Sequence, residues 1–363
     1  MYMKVAIVYD RVNKIGGAER VLESLSELFP GSTLYTSLYN KKKTPWTKGM
    51  KVRASYLQKI PFINTRHELI PYLMPFAFES FKFDRYDLVL SITSEAAKGI
   101  LVPPGIPHVC IMLTPTRYLW SGYESYFKNA ILRVIAYPLI WYLKKWDLAA
   151  SKRPDDIIAI SENVKKRIKK YYKRDSVVIY PPADRLFKEK LAKIEVVEKN
   201  YFLVVSRLVD YKRIDLAVRA CTKLNMPLVV IGEGSEYEKL DTLSGPTITF
   251  KGKVSDQELM AYYKNCRALI FPGEEDFGIT MVEVQGMGKP VIAYGSGGAL
   301  EIVRDGVTGV FFKKQTVNSL CQVLLKFKDN VYNGRDCKQN VARFSEFRFK
   351  KRLTAYLQSR KYL

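Results

Sequence analysis

The sequence predicts an α/β chain made of two doubly wound halves, and three observations carry that expectation. Short apolar runs alternate along the chain with longer stretches whose apolar residues recur at helical spacing. Glycines follow several of these runs, at Gly16-Gly17, Gly232, Gly273 and Gly278, in the stretches where a strand would lead into a helix. A strand-like Val177–Tyr180 then meets Pro181-Pro182, the strongest boundary signal in the chain. At 363 residues with 47% hydrophobic content, the chain has enough apolar material for two full cores.

In the first half, Val5–Tyr9 reads as a buried parallel strand, followed by Gly16-Gly17 and a helix from Ala18 to about Leu28. Val21, Leu22, Leu25 and Leu28 share one face of that helix. Strand signals recur at Thr33–Tyr35, Leu88–Ser91 and Val109–Leu113; Lys41–Phe83, rich in Lys, Pro and aromatics, reads as an insertion. Thr114–Trp120 (TPTRYLW) follows a strand end, where Arg117 meets either a phosphate or a structural carboxylate. Ile131–Trp146 (ILRVIAYPLIWYLKKW) is shorter than the roughly 20 apolar residues that span a bilayer. It reads as an interfacial helix or as a core helix with a solvated end, and Pro138 argues against one straight helix. Ile157–Ile160 is a further strand, with Ser161 as the N-cap of the next helix.

The second half opens after a charged linker, Lys188–Lys199, with a strand at Tyr201–Val205. Arg207, Lys212 and Arg213 then precede a helix from Ile214, a placement that suits a pyrophosphate between the cations. Strands follow at Leu228–Ile231 and Ile248–Phe250, with Asp256 available to cap a helix at Gln257. The organising stretch is Phe271–Gly298. After the strand Ala268–Phe271 it holds Glu275 in a loop, Gly278 at a helix start, Glu283 inside that helix and a strand at Val291–Ala293. A helix opening at Gly278 aims unpaired N–H groups at whatever lies above the strand tips, and glycine lets an anion approach closely. Carboxylates accept sugar hydroxyls, so the reading puts Glu275 on a hexose and Glu283 on a ribose. The last strand is Val310–Phe312, and Arg343–Leu363 is basic and aromatic.

The balance of 59 basic against 36 acidic residues, a net charge of +23, calls for an acidic partner. No nucleic-acid motif of recognisable spacing appears, which leaves anionic lipid and phosphorylated substrates. Basic density is highest from Lys144 to Arg174. The five cysteines are scattered without C-x-x-C spacing, as reduced thiols in a cytoplasmic protein, and the N-terminus lacks a signal peptide's pattern. The expected location is cytoplasmic, at the inner face of the cell membrane.

The spacing of Glu275 and Glu283 within FPGEEDFGITMVEV resembles the E-x7-E signature of the family 4 retaining glycosyltransferases, which have the GT-B fold. GKPVIAYGSGGALEIV, GGAERVLE, TPTRYLW and RLVDYKRIDLAV are similar to bacterial O-antigen and exopolysaccharide mannosyltransferases of the WbaZ type. The resemblance implies two Rossmann-like domains facing a central cleft. They would be an acceptor-side domain (1–182), a nucleotide-sugar domain (183–342), and a terminal helix (343–363) returning to the first.

It also implies a donor site, with Arg207 and Lys212 on the diphosphate and Lys253, Val254 and Asp256 at the base. Glu283 would hold the ribose, while Gly17, Glu275, Phe277, Gly278, Ile279 and Thr280 would surround the sugar. Glu275, Arg207 and Lys212 are the expected catalytic residues, and Gly16, Gly17, Thr114 and Arg117 the acceptor side. The implied donor is GDP-mannose or another nucleotide hexose, with no cofactor and no metal, and the acceptor a lipid-linked saccharide.

Two departures stand out. Leu113 occupies the position where relatives commonly carry a His, so that Thr114 or His108 substitutes, sugar recognition differs, or activity is weak. Gly286 replaces a customary alanine in its helix, at about 1 kcal/mol. The rivals are a nucleotide-sugar-binding homologue without turnover and a glycoside hydrolase using the two Glu.

Overall fold

A computed structural model describes residues 3–14, 16–60, 70–126, 129–188, 198 and 200–363. The chain divides into two compact units, Met1–Pro181 with Phe349–Leu363, and Pro182–Arg348. Most of the linker Lys188–Lys199 and part of Lys41–Phe83 lie outside the described residues.

The first unit is built on β1 (Val5–Tyr9), β2 (Thr33–Thr36), β3 (Lys51–Ala54), β4 (Leu88–Thr93), β5 (His108–Met112), β6 (Asp156–Ala159) and β7 (Val177–Val178). Among the described residues these form one parallel sheet in the order β3-β2-β1-β4-β5-β6-β7. The strand order reverses between β1 and β4, where a doubly wound sheet opens a crevice at its strand ends. Strands β1, β4 and β5 are buried along their whole length, which is why they read as unbroken apolar runs. Strand β3 lies inside the stretch read as an insertion. It alternates exposed and half-buried residues at the sheet edge, and Lys51 and Arg53 mask its strand character while blunting that edge.

The helices that matter here are α1 (Gly17–Leu28), α2 (Ala130–Ala150) and α3 (Glu162–Tyr172). Helix α2 runs as one element with Pro138 inside it. Ser161 caps α3, its hydroxyl accepting from the Val164 N–H at 3.0 Å.

The second unit carries β8 (Phe202–Val205), β9 (Leu228–Ile231), β10 (Ile248–Gly252), β11 (Leu269–Phe271), β12 (Val291–Tyr294) and β13 (Gly309–Phe312). They form a parallel sheet in the order β10-β9-β8-β11-β12-β13, so its switch point falls between β8 and β11. Helices α4 (Ile214–Lys223), α5 (Asp256–Asn265) and α6 (Ile279–Gly286) connect these strands.

Helix α5 corrects one expectation: its N-cap is Ser255, not Asp256. Ser255 and Glu258 form a reciprocal capping box, and Asp256 is the first helical residue. Gly286 packs under a side chain: a Cβ there would stand 1.9 Å from the tip of the Phe187 ring, which would have to move. The last helix, α7 (Glu346–Ser359), starts three residues later than expected, after a turn at Ala342–Phe344. Its buried Phe349, Leu353 and Leu357 repeat every fourth residue along one face.

Candidate functional site

In the second unit, the loops after β8 and β11 leave the sheet on either side of its switch point. Three glycines set how closely they pack. Gly232 has φ 134, and a Cβ there would sit 1.9 Å from the Ser206 carbonyl oxygen. A Cβ at Gly273 would lie 2.8 Å from the Lys212 carbonyl oxygen, and one at Gly298 2.2 Å from that of Phe277. The loop carrying Glu275 is therefore pressed between the β8 and β12 loops. It is pinned by the Gly298 N–H on the Glu275 carbonyl (2.8 Å), Ser296 Oγ on Glu274 (2.9 Å) and Gln315 Nε2 on the Pro272 carbonyl (2.9 Å).

This packing brings two expected residues together. The Lys212 ammonium forms an ion pair with the Glu275 carboxylate, and the side chains are 18% and 13% exposed. Arg207 stands on the exposed side, its Nη2 donating to the Tyr211 hydroxyl at 2.7 Å, while the Lys212 ammonium lies 5.4 Å from the Tyr211 ring. Tyr211 thus sits between the two cations, a position the sequence reading did not single out although it separates them in RLVDYK.

Gly278 opens α6 with φ 101, a left-handed conformation that glycine adopts at no steric cost. Ile279 and Thr280 follow in its half-buried first turn, where backbone N–H groups lack intrahelical acceptors. Phe277 departs from its expected role: its side chain is 4% exposed and packs edge-on against Phe344, leaving only its backbone to the loop surface. Glu283 is 2% exposed on α6 and accepts the buried Tyr263 hydroxyl at 2.8 Å. Lys253, Val254 and Asp256 follow β10 at the sheet edge, and β10 lies two strands, about 10 Å, from β8.

The first unit repeats the topology with different chemistry. The Asp10 carboxylate, at the end of β1, accepts the Ser94, Glu95, Ala96 and Ala97 N–H groups at 2.7 to 3.0 Å, and the Thr93 hydroxyl. That ties the β4 loop down across the switch point. Arg11 and Glu95 form an ion pair in the same place; burial raises the Glu95 carboxyl and Arg11 opposes it.

Gly16 and Gly17 open α1, yet its first turn already carries a carboxylate. Glu19 is 2% exposed, accepts the Tyr9 hydroxyl at 3.1 Å, and has its pKa raised by burial. A Cβ on Gly16 would come within 3.0 Å of that carboxylate, so the pair serves Glu19 before any phosphate.

The TPTRYLW segment is a scaffold. Thr116 Oγ1 and Trp120 Nε1 donate to Asp147 on α2 at 2.8 and 2.7 Å, and the Tyr172 hydroxyl joins them at 2.7 Å. Lys98 completes the hub with an ion pair to Asp147 at 2.6 Å, both side chains 1% exposed. Thr114 is buried and Arg117 half-buried beside this hub. His108 does not replace a histidine at Leu113. It starts β5, about 17 Å along the strand from position 113, and bonds Ser91 at 2.8 Å inside the core. Burial pushes its pKa down to about 3.

Comparison with known proteins bears on the same regions. Residues 185–344 match the family model of glycosyl transferases group 1. An uncharacterized glycosyltransferase of Methanocaldococcus jannaschii is 28% identical over 204 residues, covering 54% of this chain and 56% of that protein. The O-antigen chain mannosyltransferase C of Escherichia coli is 26% identical over 169 residues, 44% of each chain. The chain thus spans about half the length of these curated relatives. The crystal structure of Anabaena HepE in complex with UDP superposes with a TM-score of 0.70 at 18% identity, over 98% of this chain and 100% of that one. The two parallel sheets and these likenesses make the chain a GT-B protein whose residues 185–344 match the group 1 glycosyl transferases.

Proposed function

We propose that the chain is a retaining glycosyltransferase that moves a hexose from a nucleotide diphospho-sugar. The observation that carries this reading is the Lys212–Glu275 pair at the β8/β11 switch point, beside the Gly278-opened helix. Breaking the sugar–phosphate bond puts charge on the departing diphosphate. Cations and N–H groups that hold this charge better than they hold the intact donor lower the barrier. Lys212, released from Glu275, and the exposed Arg207 take the diphosphate, with the Gly278, Ile279 and Thr280 backbone beside it. Glu275 accepts hexose hydroxyls, Glu283 the ribose, and Lys253, Val254 and Asp256 border the base. This reading needs no cofactor beyond the donor. Acceptor binding is assigned to the first unit, with Gly16, Gly17, Thr114 and Arg117.

Mannose, GDP as carrier and a lipid-linked saccharide acceptor are the finer part of the proposal. They rest on the family resemblance and on the E. coli mannosyltransferase, whose printed name concerns O-antigen chains. The UDP held by HepE keeps uridine diphosphate as the competing carrier. A binding homologue without turnover is the second reading, favoured by Leu113 and by a His108 sequestered in the core. A hydrolase pair is disfavoured because it leaves Arg207 and Lys212 without a role.

Thermal-shift titration with GDP, UDP, ADP and their hexose conjugates names the carrier. Lys212→Ala weakens nucleotide binding, and Lys212→Ala and Glu275→Gln each lower transfer by about 100-fold or more. Transfer by Lys212→Ala at the wild-type rate rejects the site; nucleotide binding without transfer to any acceptor selects the second reading.

A further inference from the structure

Helix α2 presents apolar side chains to solvent on a scale that packing inside its unit does not require. Ile131, Val134, Ile135, Tyr137 and Trp141 are 70%, 74%, 70%, 61% and 55% exposed. Their spacing puts them on one face, with the exposed Pro138 among them. The opposite face is anchored: Ile140 and Leu143 are buried against Leu119. The exposed stripe is therefore not a loosely packed core helix but a fixed surface. Scattered exposed apolar residues need no account, whereas a contiguous stripe does.

Charge decides what covers it. The one acid on α2, Asp147, is buried and paired with Lys98, so the exposed face carries no negative charge. Cations border it instead. The Lys145 ammonium lies 5.7 Å from the Trp141 ring, and Lys144 lies 4.7 Å from Tyr123. Helix α3 is joined to α2 through the Tyr172 hydroxyl on Asp147, and it exposes Lys165, Lys166, Lys169 and Lys170. Two of these lysines have exposed acids beside them, Lys165 with Glu162 at 3.9 Å and Lys169 with Asp175 at 2.8 Å, while Lys166 and Lys170 add further positive charge, so a second copy would set two positively charged faces against each other. An anionic bilayer meets both features, taking up the apolar stripe and neutralising the flanking lysines. Among the described residues no helix is long and apolar enough to cross a membrane, so α2 lies on the surface without spanning it.

We propose that α2 is a membrane-docking helix, seated in the headgroup region of an anionic bilayer with Ile131, Val134, Ile135 and Trp141 inserted and the α3 lysines on the headgroups. This surface is independent of the donor site, and its test uses no activity readout. The full chain is sedimented with phosphatidylcholine vesicles, with and without phosphatidylglycerol, at low and high salt. The expected result is pelleting with the phosphatidylglycerol vesicles, weakened by salt and nearly absent with phosphatidylcholine alone. The double variant Ile135→Glu/Trp141→Glu changes only exposed positions. It is expected to keep the wild-type melting temperature while its bound fraction falls by about ten-fold or more.

Three outcomes overturn the proposal. The first is a wild-type protein that stays in the supernatant at low salt, and the second a double variant that pellets like the wild type. The third is sedimentation velocity showing a self-associated species, lost in the double variant, with no vesicle binding.

Discussion

The two sheets reverse strand order in the same way, yet they use the crevice at that reversal differently. In the first unit, between β1 and β4, Asp10 is surrounded by backbone N–H groups and Arg11 is paired with Glu95. The nearby Lys98–Asp147 hub is almost wholly buried. In the second unit, between β8 and β11, Arg207 is exposed, and the Lys212–Glu275 pair, 18% and 13% exposed, has about the same access to water as Arg11–Glu95. The sealed pair is Lys98–Asp147, and it has no counterpart beside Lys212. A pair shut away from water holds its segments in place and is costly to break, whereas one that water reaches can exchange partners with an incoming ligand.

Replacing one charge at each reversal tests that contrast. Asp147→Ala leaves the Lys98 ammonium buried without its counter-ion and is expected to cost about 3–5 kcal/mol of stability, read by denaturant unfolding. Lys212→Ala leaves the Glu275 carboxylate with limited access to water, so it is expected to lose less stability than Asp147→Ala while nucleotide binding falls. Equal destabilisation by the two variants would erase the distinction.

Gly286→Ala is the next largest effect. Helix propensity alone favours alanine by about 1 kcal/mol, but the Phe187 ring must move, and a net loss of about 1–3 kcal/mol is expected in a thermal melt. A stabilised variant would show that this part of the second unit yields easily.

A last effect is graded in pH. The folded His108 pKa of about 3 lies below its ordinary value near 6.5, so between those limits the unfolded chain binds a proton that the folded chain refuses. Stability is fully present above about pH 6.5 and falls, by at most about 1.4 kcal/mol per unit, as pH drops toward 3. Melting curves across that range would show a shallower slope for His108→Gln. An unchanged slope would assign the acid sensitivity to other groups.

The strands were legible because parallel strands covered on both faces read as unbroken apolar text, and β1, β4, β9 and β12 illustrate this. Strand β3 was not, since an edge strand bearing Lys51 and Arg53 resembles a polar loop. Pro138 stands on the outward face of α2, which continues through it and is anchored along its other side by Ile140 and Leu143. For the candidate site, Arg207, Lys212, Glu275 and Gly278 could be named from spacing around strand ends. Their arrangement could not, because Lys212 and Glu275 meet only once Gly273 and Gly298 allow the loops to close. The Asp147 hub was invisible for the same reason: Thr116, Trp120, Lys98 and Tyr172 reach it from separate segments of the chain.

Because Phe349–Leu363 belongs to the first unit, the second is covalently an insertion within it, entered at Pro181-Pro182 and left after Arg348. During synthesis the earlier sheet is laid down long before its last helix emerges. The hydrophobic seat that Phe349, Leu353 and Leu357 will fill therefore waits for the whole of the inserted unit to be translated. A chain ended after Arg348 would carry every residue of the second unit attached to a first one that lacks Phe349, Leu353 and Leu357.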